Sequence, residues 1–522
     1  MRIQNSLRNM FFGVAGQLIT IIMGFIVRTV FIYTLGIEYV GIEGLFTSIL
    51  LMLSLANLGF DTAMIYSLYK PLAEGDKYKI QALMNLYKKA YRIVGFVVLA
   101  IGLSLLPFLP YLINGKAAPV ENIQTIYILF LLQSAVSYFF IYKQSILIAD
   151  QRNHIVSKIH SAFIIISNSL QILLLVFLGS YILVLVTQLS FRVFENMYIA
   201  KKVDRLYPYL RGMNKAVLYG EEKKRFFQDL YSLFLYKISG AVINGTDNIL
   251  ISMFIGITVV GIYSNYLLLL STLTTLLSYI FYSLTASVGN LIVQNNREKK
   301  YHIFRVIRFS NFWVYGLCSI CLWVLLDPFI SLWIGEPYLL GSIVVGIIIL
   351  NFYTTGMQGA STTYRETTGL FKKGKYRPII AAGINLALSL ILVSIIGLTG
   401  IFLGTIFSRL MVYFWYDPYI IYKYVFNRPL KEHFIKYISY TFVVAGAGLI
   451  TKLAANQIQT NHQTLTLVLM GMLCLTIPNL IFYLFFRNSK EFNYLSSVLR
   501  NLYQNKFLKT FSKKYHIQNE KS

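Results

Sequence analysis

The chain has 522 residues, 56% of them hydrophobic and 13% charged, with 47 Lys and Arg against 21 Asp and Glu, a net charge of +26. A mean hydropathy of +0.61 lies outside the range of soluble globular proteins and excludes an ordinary soluble domain. The positive excess is therefore tested first as membrane topology, before nucleic acid is invoked.

The apolar residues come in runs of about 20, the length at which a helix spans a bilayer with its backbone satisfied inside its own segment. Fourteen spans are predicted: 11–35, 40–68, 93–114, 123–149, 159–178, 181–200, 232–255, 260–292, 309–329, 341–363, 379–397, 400–421, 434–453 and 464–486. The opening MRIQNSLRNMFF has a basic start but runs straight into the first span, so no cleavable signal peptide is expected. Forty of the 47 basic residues fall in the N-terminus, the even-numbered connections (69–92, 150–158, 201–231, 293–308, 364–378, 422–436) or the tail after 486. The odd-numbered connections hold Lys116 and, at a span end, Lys452. Positive residues stay cytoplasmic, so both termini are expected on the cytoplasmic side, with some attraction to anionic lipid headgroups. The outer connections reach at most 11 residues, which leaves no room for an outer catalytic domain. The segment 487–522 reads as a basic cytoplasmic tail.

Two local motifs carry no chemistry in this setting. Cys318 and Cys321 form a C-x-x-C inside LCSICLWVLL, without a second thiol pair or a His, and Cys474 lies in another apolar run. The formal glycosylation sequence NGT at 244–246 is likewise embedded in a span.

A repeat organises the chain. GIEYVGI at 36–42 returns as GITVVGI at 256–262, 220 positions later. With that shift the first span falls on the seventh and the second on the eighth, so two halves of parallel topology are expected, related by a pseudo-twofold axis along the membrane normal. The predicted organisation is an N-terminal lobe of six helices (1–200), a basic cytoplasmic linker (201–231), a C-terminal lobe of six helices (232–422), two further spans (423–486) and the tail. Gly36 and Gly256 are read as the sharp outer turns after the first helix of each lobe.

Charges inside the spans supply the candidate site. A cation within a bilayer costs about 2.5–3.5 kcal/mol on insertion scales and needs a wet cavity, a partner or an escape to the interface. Lys143 and Lys237 lie close to cytoplasmic span ends, where snorkelling accounts for them. Arg192 stands three residues before Glu195, so it either pairs along its helix or lines a cavity. Arg28 and Arg409 are deeper and are expected to face a cavity or make an interhelical contact. Asp247 lies among Gly240, Asn244, Gly245 and Asn248, a stretch able to unwind and free carbonyls beside a carboxylate, as at an ion-coupling site. The 220 shift places Asp247 opposite Val27, next to Arg28, which invites an Arg28–Asp247 pair, functional or structural. Asn57 and Asp61 form a second polar patch.

The opening SLRNMFFGVAGQLITIIMGFIVRTVFIYTLGIEYVGI, with an arginine in the first span before a glycine turn and an echo at the second lobe, resembles the multidrug/oligosaccharidyl-lipid/polysaccharide exporter superfamily. Within it the likeness is greatest to bacterial polysaccharide transporters, the Wzx-type flippases of O-antigen and capsule repeat units. The resemblance covers almost the whole chain through diffuse motifs. It implies alternating-access export of an undecaprenyl-pyrophosphate-linked oligosaccharide from the inner to the outer leaflet, without a resident cofactor and with H⁺ or Na⁺ as coupling ion. Polysaccharide polymerase and chain-length machinery are the implied protein partners. Arginines suit a pyrophosphate because they bind its oxygens bidentately. The rivals are a lipid II flippase, a multidrug antiporter and, from another class, a membrane polymerase or ligase of lipid-linked glycans. No Walker A segment, zinc signature or nucleophile elbow points to ATP-driven transport or hydrolysis.

Overall fold

The computed structural model describes residues 2–54, 60–114, 122–210, 245–292, 296–368, 376–458 and 460–498, together with a few single positions in the gaps between these ranges. The described residues are helical almost throughout. In chain order the helices are α1 (Arg2–Leu35), α2 (Ile37–Leu53), α3 (Phe60–Glu74), α4 (Lys77–Ser104), α5 (Ile123–Tyr138), α6 (Ile141–Ala149), α7 (Asn153–Leu178) and α8 (Tyr181–Leu206). After a helical segment 245–254 come α9 (Ile257–Ile292), α10 (Arg297–Ile334), α11 (Ser342–Thr367), α12 (Arg377–Ile396), α13 (Leu398–Ile421), α14 (Lys431–Asn456) and α15 (Gln463–Phe486).

Among the described residues eleven helices are long and apolar enough to cross a membrane, or twelve if α5 and α6, bent by 46°, form one span. The chain is thus an all-helical polytopic membrane protein. Two expected spans, 40–68 and 232–255, run through residues outside the described set. The apolar surface left outward is large: Phe177, Phe442, Ile343 and Ile395 are each at least 70% exposed, which is stable only against lipid.

The helices fall into two compact units. One takes residues 1–272 and 375–408, the other 273–374 and 409–522. In the first, α1 lies along α7, α7 pairs with α8, and α8 packs on α5. α1 ends at Gly36, whose φ of 94° is open to glycine, and the backbone restarts as α2 one residue later. Gly256, at φ 138°, breaks segment 245–254 from α9 in the same way.

The two turns then interlock. A Cβ on Gly41 would lie 2.1 Å from the Ile257 carbonyl oxygen, and a Cβ on Gly261 would lie 2.2 Å from the Ile37 carbonyl oxygen. Shifted by 220, each contact becomes the other, which is the reciprocity a local twofold imposes. Side-chain-free positions let the two backbones touch, as small residues do wherever membrane helices cross closely. Val40, Val260 and Leu45 are fully buried on this part of α2 and α9.

The second unit is built around α10, which packs against α11, α14 and α15. Its core is aromatic: Phe312 stacks on Tyr440 with ring centroids 4.3 Å apart, and Trp313 donates from Nε1 to Asn479 Oδ1 at 2.8 Å. Arg308 and Arg365, which the hydropathy pattern left in cytoplasmic connections, are fully buried here because α10 and α11 continue as packed helices. Arg365 Nε lies 3.5 Å from Asp417 Oδ1, with both side chains 2% exposed, a buried ion pair.

Candidate functional site

α7 and α8 are joined at Leu178, Gly179 and Ser180, and Ser180 accepts from the Leu183 backbone N–H to start α8. In such an antiparallel hairpin, residues equally far from the turn meet. Gln171 and Gln188 are such a pair, and Gln188 Nε2 donates to Gln171 Oε1 at 2.9 Å. Gln171 Nε2 in turn donates to Ser167 Oγ (2.9 Å) and Asn168 Oδ1 (3.3 Å), residues one helical turn earlier on the same face. Further from the turn, Glu195 Oε1 lies 2.7 Å from His160 Nδ1, and its Oε2 is 3.9 Å from Arg192.

These polar faces enclose, with Gln133 from α5 and the rings of Phe163 and Phe191, a cavity of about 300 Å³. Its floor is buried: Gln171 is 3% and Glu195 8% exposed, while Arg192 and His160 stand at the rim with side chains more than 40% exposed. Eight of its eleven lining side chains are polar, a composition that lipid does not wet and that water or a hydroxylated ligand does. Arg192 thus both pairs along its helix and lines a cavity.

The other expected residues are dispersed. Arg28 forms an ion pair with Glu43 at 3.1 Å, without the alignment of a hydrogen bond. The carboxylate paired with Arg28 in the structure is Glu43, where the repeat register had set Asp247. Tyr181, buried, packs edge-on to Phe31 and Tyr39. Lys143 is held by Asp204 at 2.6 Å. Arg409 reaches from α13 to the Asn351 carbonyl oxygen of α11 at 3.5 Å. Asn248 ties segment 245–254 to α2, donating from Nδ2 to Ser48 Oγ (3.0 Å) and the Gly44 carbonyl (3.3 Å). Asp247, its neighbour, is half-buried. Asn57, Lys237 and Asn244 lie outside the described residues, as does the side chain of Asp61.

Six polar members of the cavity, Gln133, His160, Ser167, Asn168, Gln171 and Gln188, were not singled out from the sequence. The signal was available: 160, 167 and 171 on α7, and 188, 192 and 195 on α8, are polar positions at helical spacing facing one another about a Gly-Ser turn. Glu43 was equally legible, seven residues after Gly36 where Arg28 stands eight before it.

No known family's sequence profile matches the chain, and no curated protein matches it by sequence. Solved structures do match. The lipid II flippase MurJ in an inward closed conformation superposes with a TM-score of 0.63 at 16% identity, covering 92% of this chain and 99% of that one. An inward-facing multidrug resistance MATE family transporter of the MOP superfamily gives 0.59 at 13% identity, over 75% of this chain and 91% of that one. The Vibrio cholerae MATE transporter VcmN gives 0.51 at 13% identity, over 78% and 94%. Each of these is a transporter or flippase. The chain therefore has the fold of the MOP superfamily.

Proposed function

We propose that this protein is a flippase that carries an undecaprenyl-pyrophosphate-linked oligosaccharide from the inner to the outer leaflet by alternating access. The reading takes the chain as fourteen spans, two pseudo-twofold lobes of six plus a terminal pair, with both termini cytoplasmic. The observation that carries it is the 300 Å³ polar cavity among α5, α7 and α8, set inside helices that otherwise face lipid, in a fold shared with a lipid II flippase. A hydrophobic drug needs no such amide-rich lining, and a cationic one would want uncommitted carboxylates. Glu195 is instead engaged by His160 and Arg192.

Arg28 is assigned to the pyrophosphate. At 16% side-chain exposure Arg28 remains reachable, and a dianionic headgroup competes well with one carboxylate for a guanidinium. Lys143 is assigned to its ion pair with Asp204. Coupling to H⁺ or Na⁺ is assigned to Asp247, whose occupancy would bias inward-open against outward-open states. Delivery of the glycan outward makes polymerase and chain-length machinery the natural neighbours.

The test follows lipid-linked repeat units in a strain lacking the protein. Inner-leaflet accumulation is expected, reversed by the wild-type chain and not by Arg28→Ala or Asp247→Ala. Unchanged outward delivery in the deletion strain sinks the flippase reading. Rescue of a strain depleted of its lipid II flippase would move the substrate to lipid II.

A further inference from the structure

We infer that the cavity among α5, α7 and α8 is a subsite for one neutral sugar of the glycan headgroup, recognised through carboxamides and aromatic faces. The inference rests on the flippase reading and specifies where within it the sugar is held.

Charge is the first argument. The cavity's one carboxylate, Glu195, is bonded to His160 and lies beside Arg192, so carboxylate and guanidinium largely cancel. What remains for a ligand is uncharged hydrogen-bonding capacity. Gln171 is committed on both ends, its oxygen to Gln188 and its amino group to Ser167 and Asn168. That commitment holds the neighbouring amides in place. It leaves the oxygen of Gln188, the amino group of Asn168 and both ends of Gln133 uncommitted among the described residues. Alternating donors and acceptors of this kind match hydroxyl and N-acetyl groups, each of which both gives and takes hydrogen bonds.

Shape is the second. Phe163 and Phe191, ring centroids 6.3 Å apart, add apolar faces against which the C–H side of a pyranose packs. A volume of about 300 Å³ is at the small end of ligand pockets and admits one monosaccharide.

The test compares carriers by native mass spectrometry of the full-length protein in detergent. The probes are bare undecaprenyl pyrophosphate and the same carrier bearing glucose, galactose or N-acetylglucosamine. Wild type is expected to bind at least one sugar-bearing carrier about tenfold more tightly than the bare one, the yield of one or two net hydrogen bonds. Gln188→Leu and, independently, Gln133→Leu should erase that ratio, with binding of the bare carrier serving as the measure that each variant is folded. Equal wild-type affinity for bare and sugar-bearing carriers overturns the subsite, as does a ratio that survives both substitutions; either result leaves the flippase reading standing. Failure of wild type to bind any of the four carriers overturns the flippase reading itself.

Discussion

Substituting Gly41 by alanine perturbs the molecule at its closest backbone approach. The new Cβ would lie 2.1 Å from the Ile257 carbonyl oxygen, where an ordinary carbon–oxygen contact is about 3.4 Å. No rotamer can relieve a clash with backbone, so α2 and α9 must part by about 1 Å where Val40 and Val260 are fully buried. Overpacking of this kind costs about 1–3 kcal/mol, offset by the roughly 0.5–1 kcal/mol that alanine gains over glycine inside a helix. Gly24→Ala, with nothing within 4 Å, isolates that gain and is expected to be neutral or stabilising. Gly261→Ala should behave like Gly41→Ala, since its Cβ meets the Ile37 carbonyl at 2.2 Å. In the double variant the first Cβ has already opened the crossing, so the two costs should sum to less than their parts by about 0.5 kcal/mol or more. Unfolding in a mixed-micelle SDS titration measures all four variants. Strict additivity, or a Gly41→Ala variant as stable as Gly24→Ala, would refute the reciprocal contact.

Other consequences are as specific. Glu43→Gln frees Arg28 and should raise affinity for undecaprenyl pyrophosphate while Arg28→Ala lowers it; equal losses from both would mark a purely structural pair. Stability should change little for either, at most about 1 kcal/mol, because the Glu43 side chain is 35% exposed. Lys143→Met breaks the 2.6 Å pair with Asp204 and is expected to lower stability by about 1 kcal/mol in the same titration. Glu491, beyond the last span, is buried, and burial alone would raise its pKa. A backbone hydrogen bond and the Arg305 guanidinium, at 2.7 Å from Nε, outweigh burial and hold it below the ordinary 4.5. Its contribution is therefore present above the unfolded-state pKa and lost as pH falls through the folded one. The stability difference between wild type and Glu491→Gln should be full at pH 7 and shrink on acidification below pH 4.5; a constant difference would contradict the ion pair.

Hydropathy determined most of the architecture without help from tertiary structure. Whether a run of about 20 residues crosses a membrane depends on its own composition, because each span must satisfy its own backbone. The helical character of twelve expected spans and the breaks at Gly36 and Gly256 were legible for that reason. Which side chains meet was a different matter. Partnership across helices depends on the rotational phase of each helix and on hairpin geometry, which span-by-span hydropathy does not encode. Arg28 thus found Glu43, Asn248 became a tie to Ser48, and Arg308 and Arg365 turned out buried. The GIEYVGI and GITVVGI phrases carried more than a topology marker. Their second glycines allow two backbones to touch, a role visible only once Ile37 and Ile257 lie against Gly261 and Gly41.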